Sequence, residues 1–425
     1  MGGVCPCRRT QPDGGRHPST SNRGACMTIS LLIVHPFDPW GGKIGGIETM
    51  IRATMRHTPE DCKISLIGVT ENPIIRPVGQ WREMNYGQTP ISFLPIMQVP
   101  DPNRRPRIPL FLNFSLRLFK YRLSLPSTIA LFHRVEPLYC SQLAAAANVL
   151  FIHGDPREIT GPFSEVRWKH VPRLYRYVEK QAIKKAVYVF VVSRKGAEYM
   201  QNRYARYDDI SFFPTGYCEE IFYLPAEEEW IEIRKNTINK YNLNPSARYV
   251  LFAGRFELQK NPILALETFA KAASQVPDVE LLLAGQGNLR AEMERKIKHL
   301  QLENRIHFLG PLSPADLADV MRISHVLLMT SHFEGMPILV HEAQACGLPV
   351  VSTDVGEIHD MIQPGITGQV VSDYDGEALA QVLLDFLNRS DNNQKIQCAK
   401  NAFPFRINFV LGDLYEMIRK IAPAS

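Results

Sequence analysis

Ile29-Ser30-Leu31-Leu32-Ile33-Val34 is a short apolar run, Gly41-Gly42-Lys43-Ile44-Gly45-Gly46 a glycine-rich stretch, and Ile47-Glu48-Thr49-Met50 the start of a helical pattern. Read together they give strand, glycine turn and helix, the opening of a doubly wound parallel sheet. Further strand-like runs stand at Ile64 to Val69, Val149 to His153 and Val187 to Ser193. A helical pattern rich in Lys and Arg is expected from Phe163 to Ala186.

A second start lies at Tyr249-Val250-Leu251-Phe252-Ala253-Gly254. Helix Asn261 to Ser274 follows, then strand Val279 to Ala284, turn Gly285-Gln286-Gly287 and helix Leu289 to Leu300. Strand Ile306 to Leu309, helix Pro314 to Ile323 and strand Val326 to Met329 continue the alternation, which argues for a second parallel sheet. The expected domains are therefore 27–215 and 216–395. Residues 396–425 form a final stretch whose last helix, Phe409 to Ile421, could cross back to the first domain.

A chain of 425 residues is too long for one compact core, which agrees with two domains. Its 45% apolar and 21% charged residues fit a globular protein and exclude a disordered one. No apolar run nears the ~18 residues needed to span a bilayer. Residues 1–26, rich in Gly, Pro, Ser and Arg, lack the apolar core of a signal peptide. They are expected to be a disordered tail, or an upstream extension with initiation at Met27. The eight cysteines show no paired zinc-type spacing, and free thiols in a cytoplasmic setting are expected. Between 27 and 215 there are 25 Lys and Arg against 15 Asp and Glu; from 216 to the end there are 19 against 27. Such a split suits an acidic acceptor or an anionic membrane surface on the N-terminal side, or simply an unevenly charged solvated surface.

The chemistry concentrates in Glu334-Gly335-Met336-Pro337-Ile338-Leu339-Val340-His341-Glu342-Ala343-Gln344-Ala345-Cys346-Gly347. Pro337 suits a first helical position and Gly347 the position past a helix end, so a helix is expected from about Pro337 to Cys346. Its free N–H groups, near Ile338 and Leu339, make an anion site fit for a diphosphate. Glu342, inside that helix, suits a vicinal ribose diol, because a carboxylate accepts two hydrogen bonds. Glu334, just before it, would face hydroxyls of a sugar. Acids are favoured at helix N-termini in any case, so Glu334 by its position alone is equally a dipole-satisfying charge. Gly254-Arg255-Phe256-Glu257-Leu258-Gln259-Lys260 supplies a guanidinium fork and a mobile ammonium that can neutralise a departing diphosphate. Taken alone it is also an ordinary basic turn. Asp373-Tyr374-Asp375 has the spacing of metal-dependent transferases, yet it precedes a helix, where Asp caps. The loop 41–46 lacks the order of a nicotinamide fingerprint.

The stretch from Tyr249 to about Val371 resembles the donor domain of glycosyltransferase family 4, the retaining GT-B enzymes. The similarity rests on Glu334 and Glu342, on Gly254, Arg255 and Lys260, on Gly285 and Gly287, on Gly347 to Val351, and on Thr353-Asp354. The N-terminal half is more loosely similar. Gly45-Gly46-Ile47-Glu48 resembles the acceptor-side glycine loop, and Ile152-His153-Gly154-Asp155 the loop whose histidine faces the donor sugar. The chain departs from the family at Thr215-Gly216-Tyr217-Cys218, where Asn-Gly-Val-Asp is frequent, and at Gln286, where an acid is common.

The resemblance implies an α/β GT-B fold, two Rossmann-like doubly wound domains facing across a cleft. It implies retaining transfer from a nucleotide diphosphate sugar to a glycan or lipid-linked acceptor, as in polysaccharide or glycolipid synthesis. Arg255, Lys260, Glu334 and His153 are the expected catalytic residues. Glu342, Gly335, Met336, Ile338, Leu339, Gly254 and Gly285 are expected to bind donor, with Gly45 and Gly46 on the acceptor side. Neither a metal, another cofactor nor a nucleic-acid partner is expected. The rival from another class is an inactive GT-B domain that binds nucleotide or glycan without turnover.

Overall fold

The computed structural model describes residues 28–43, 45–100, 108–159, 161–162, 167–372, 374–389 and 392–422. The tail 1–26, the basic run 103–107 and Asp373 lie outside them.

Two sheets organise the chain. The first contains β1 (Ile29–Val34), β2 (Cys62–Thr70), β3 (Arg82–Tyr86), β4 (Thr89–Gln98), β5 (Ser124–Phe132), β6 (Ala144–Ile152), β7 (Tyr188–Val191) and β8 (Ile210–Phe212). Their order is β3-β4-β2-β1-β5-β6-β7-β8, parallel except for the antiparallel β3–β4 pair at one edge. The second contains β9 (Arg248–Ala253), β10 (Val279–Ala284), β11 (Ile306–Gly310), β12 (Val326–Met329), β13 (Val350–Thr353) and β14 (Gly368–Val371). It runs β11-β10-β9-β12-β13-β14 and is parallel throughout.

The central strands read as continuous apolar runs because helices cover both faces of each sheet. Leu31 and Ile33 of β1 pack into one hydrophobic cluster, Leu32 and Val34 into another on the opposite face. Leu251 and Val250 of β9 divide in the same way. Side chains set several helix starts. Asn261 caps Pro262–Gln275, Ser313 caps Pro314–Ile323, and Asp375 caps Gly376–Leu387 by accepting from Glu377 N at 2.8 Å. Asp375 thus has the capping role weighed against the metal one.

Chain order reverses beside β1 in the first sheet, between β2 and β5, and beside β9 in the second, between β10 and β12. Such switch points open a crevice at the carboxyl ends of the strands. The chain crosses between domains twice, and the crossings pair: Tyr217 N donates to Phe405 O at 3.0 Å and Ile407 N to Tyr217 O at 2.8 Å.

Some elements differ from expectation. The region from Phe163 to Ala186 is not one helix. A 3-10 turn at Arg167–His170 precedes helix Pro172–Lys185, which a proline opens. Helix Asn392–Ala402 stays on the second domain, with Ala402 in its core, so the return crossing falls near Arg406 and not at 396. The last helix, Ile407–Ile421, buries Val410, Leu411, Leu414 and Ile418 against the first sheet, and Tyr415 Oη donates to Thr54 O at 2.8 Å. No helix among the described residues is long and apolar enough to cross a membrane.

Candidate active site

The two strand-end faces meet. The loop after β12 brings Gly335 against the loops after β6 and β7: a Cβ at Gly335 would fall 3.0 Å from Val192 Cγ2 and 3.5 Å from the Gly154 backbone. A side chain there would press on Val192, so glycine eases that approach. Ser193 Oγ, at the start of helix Arg194–Tyr204, donates to Glu357 Oε1 of the second domain at 2.8 Å. Thr215 Oγ1 donates to Met336 O at 3.2 Å.

On the second-domain side, helix Ile338–Ala345 begins one residue later than expected, with Pro337 in the capping position and Cys346 just past the end. The N–H groups of Ile338 and Leu339 take no backbone acceptor among the described residues. Glu342 is 8% exposed, its carboxylate has no hydrogen-bond or ion-pair partner among the described residues, and burial pushes its carboxyl up to about 7. Its neighbours on the helix, Val340 and Ala343, are core.

Lys260 and Glu334 come together. Lys260 Nζ donates to Glu334 Oε1 at 2.5 Å, and Ser331 Oγ to the same oxygen at 2.8 Å. Lys260 runs over Gly254, its Cγ, Cδ and Cε each 3.6 Å from where a Cβ would be. Arg255 is exposed on the same loop, with Nη2 donating to Gln259 Oε1 at 2.8 Å. Gly285 holds φ at +144°, and a Cβ there would lie 1.9 Å from Gly254 O, so the loops after β9 and β10 can touch only at a glycine.

The first-domain side holds a row that spacing did not announce. His35, His133 and His153 each follow the last residue of a strand, β1, β5 and β6, and those strands are neighbours. His133 Nδ1 and His153 Nε2 share a hydrogen bond of 2.8 Å, and their rings stack at 5.0 Å, with Phe151 stacked on His133 at 4.8 Å. His35 Nε2 lies 3.4 Å from Glu48 Oε1, which also pairs with Lys43 Nζ at 2.6 Å. Burial lowers His153 to about 3 and His35 to about 4, and takes His133 well below its usual value. All three imidazoles are therefore neutral near pH 7. Burial opposes ionisation of Glu48, but its bond to His35 and the charge of Lys43 outweigh that and hold it ionised. Gly45 is the residue before helix Gly46–Arg56, and the Glu48 carboxylate occupies the space its side chain would fill.

Sequence reasoning named His153 and missed His133, His35 and the ionised Glu48. The signal was present: an apolar run ending in histidine recurs at His35, at His133 and at His153. No three His, Cys, Asp or Glu side chains among the described residues converge as a metal site.

Two doubly wound domains that meet strand end to strand end, with an open helix N-terminus and two cations in the crevice, define the GT-B architecture. Sucrose-phosphate synthase from Thermosynechococcus elongatus superposes with a TM-score of 0.69 at 19% identity, covering 92% of this chain and 99% of that one. Anabaena HepE, solved with UDP-glucose, superposes at 0.66 and 17%, covering 92% and 100%. Residues 233–403 match the model of the family glycosyl transferases group 1. A D-inositol 3-phosphate glycosyltransferase from Mycolicibacterium gilvum (strain PYR-GCK) is 33% identical over 146 residues, 33% of this chain and 32% of that protein. An N-acetyl-alpha-D-glucosaminyl L-malate synthase from Bacillus anthracis is 30% identical over 148 residues, 35% and 38% of the two chains. The chain thus spans about a third of the length of the curated relatives it matches.

Proposed function

We propose that this protein is a retaining glycosyltransferase that moves a sugar from a nucleotide diphosphate donor to a hydroxyl of a glycan or lipid-linked acceptor. The observation that carries the proposal is Glu342, a buried carboxylate without a protein partner, set in the helix whose first N–H groups are free. An uncompensated buried carboxylate is unfavourable unless a ligand supplies its hydrogen bonds, and a ribose diol supplies two. In this mechanism the N-terminus of helix Ile338–Ala345 and Arg255 hold the diphosphate, while Gly335 and Met336 shape the crevice wall. Lys260 leaves Glu334 for the diphosphate as charge grows on it, and Glu334 takes hydroxyls of the donor sugar. His153 faces that sugar from the first domain, and Gly45 and Gly46 border the acceptor. The leaving phosphate oxygen helps take the acceptor proton on the same face, so no side chain acts as nucleophile. The cations and the helix terminus stabilise the leaving group without a metal. The sheltered, neutral histidine row favours a hydroxyl acceptor over an anion at that wall. A cytoplasmic enzyme of cell-surface polysaccharide or glycolipid synthesis, peripheral on the membrane, fits the basic first domain.

Equilibrium binding of UDP-, GDP- and ADP-sugars, followed by determination of the product anomer, tests the proposal. Tight binding of one donor and transfer with retained configuration support it. Failure to bind any of them, or an inverted product, overturns it.

A further inference from the structure

A cavity of about 220 Å³ opens on the far side of the second domain, at the amino ends of β12 and β13 and so opposite the cleft. Arg234 enters it from helix Glu227–Tyr241, Arg389 from just beyond helix Gly376–Leu387, and Lys395 from helix Asn392–Ala402. Trp230, His325 and Arg322 are also part of its wall, the last already bound to Asp319.

No carboxylate pairs with Arg234, Arg389 or Lys395 among the described residues. Among the described residues, Asp278 is bound by two nitrogens of Arg248, and Asp319 by Arg322. Arg234 spends one N–H on Pro245 O at 2.8 Å and Arg389 one on Gly365 O at 3.3 Å, which leaves most of each guanidinium fork. The Trp230 indole gathers two of the cations, with Lys395 Nζ 5.0 Å and Arg234 Cζ 5.6 Å from its ring. The indole is fixed in turn by its Nε1 donating to Arg322 O at 2.9 Å. Burial, reinforced by Arg234, lowers Lys395 below the usual lysine range, and burial with the same two cations lowers His325 to about 4. Three like charges, two from helices and one from just past a third, thus converge in a pocket, inside the half of the chain whose balance is acidic. Self-repulsion opposes that arrangement, and a bound dianion reverses its sign.

We propose that this cavity binds a phosphate dianion, free or carried on a small phosphomonoester, as an effector site separate from the donor cleft. Two guanidinium forks and an ammonium match the three terminal oxygens of a phosphomonoester. The volume suits a phosphate with a small substituent. The site does not depend on the proposed transferase activity.

The test follows the thermal unfolding midpoint of the full chain against inorganic phosphate and against glycerol 3-phosphate, with chloride matched for ionic strength. Both should raise the midpoint. The stronger effect at equal concentration shows whether the free ion or the monoester is the occupant. In the doubly substituted protein, Arg234→Gln with Lys395→Met, affinity for either should fall at least ten-fold. Far-UV circular dichroism of the variant should match that of the wild type, which shows that the variant is folded. The single substitution Arg389→Gln gives a second reading if the double variant fails to fold. A midpoint insensitive to both anions, or a shift that survives the substitutions, overturns the proposal.

Discussion

Lys260 Nζ and Glu334 Oε1 lie 2.5 Å apart, so a cation from the loop after β9 and a carboxylate from the loop after β12 already meet across the second switch point. The pair is only partly sheltered, and in the proposed mechanism the donor separates it. Lys260→Ala should then reduce turnover about 100- to 1,000-fold, as removal of one preorganised donor to developing charge does. The donor's dissociation constant should change far less. Steady-state kinetics with equilibrium donor binding checks this, and an unchanged turnover number removes Lys260 from the mechanism. Arg255→Ala should act in the same direction, and EDTA should have little effect on either protein.

Glu342 yields a pH dependence. Its carboxyl is raised to about 7 in the folded protein by burial alone. Unfolded, the group ionises near pH 4.5, so the folded state prefers the proton. The resulting penalty on stability is absent below about 4.5, grows as pH rises, and is complete above about 7. Donor hydroxyls bind the ionised form, so affinity for a nucleotide sugar should rise between pH 6 and pH 8. Glu342→Gln should flatten that rise and stabilise the free protein at pH 8. Each charge-assisted hydrogen bond contributes roughly 1.5–3 kcal/mol, so donor binding by the variant should weaken by at least ten-fold. Calorimetric titration at three pH values decides, and equal affinity in variant and wild type rules out the ribose role.

His133 should behave as a positioning residue. Its Nδ1 bonds to His153 Nε2 at 2.8 Å, and Phe151 stacks behind it. Loss of that bond frees the His153 ring to rotate and to change tautomer. His133→Phe keeps the stacking and removes the bond, so turnover should drop while the Michaelis constant for donor holds. His133→Asn returns an amide near the position of Nδ1 and should recover part of the loss. If Phe and Asn variants are equally active, the bond is only structural.

How much of this the sequence revealed depended on local pattern. The runs of the second domain, such as Val279–Ala284 and Pro314–Ile323, were legible to the residue, because mostly apolar strands alternate there with helices such as the Ser313-capped one. β4 and β5 were not, since Pro90, Pro95 and Pro126 break their apolar runs. Lys260, Glu334 and His153 each stand out in the sequence, but their pairings do not: Lys260 meets Glu334, and His133 meets His153, across 74 and 20 residues by strand order, which no local period encodes.

The first domain should bind anionic membranes reversibly. Helix Pro172–Lys185 buries Tyr175, Val178 and Ile183 and turns Arg173, Leu174, Arg176, Tyr177, Lys180 and Lys184 to the outside. Leu174 and Tyr177 are each more than half exposed. Helix Leu110–Leu118 likewise exposes Leu116 and Arg117, followed by Phe119 and Lys120, and both helices contact the short helix Val135–Cys140. Apolar side chains beside cations suit the interfacial zone of a bilayer. Lys185 does not take part, because its Nζ donates to Tyr139 O at 2.7 Å and Ser141 O at 3.1 Å. Each Lys or Arg near an anionic surface contributes about 1 kcal/mol, within a Debye length of roughly 8 Å at physiological salt. Sedimentation with liposomes of rising phosphatidylglycerol content should carry the protein down at low salt and release it at high salt. Arg176→Glu with Lys180→Glu should abolish the effect, while donor binding in the distant cleft persists. A protein that stays in the supernatant at low salt with anionic lipid would make a soluble acceptor the better account of the basic domain.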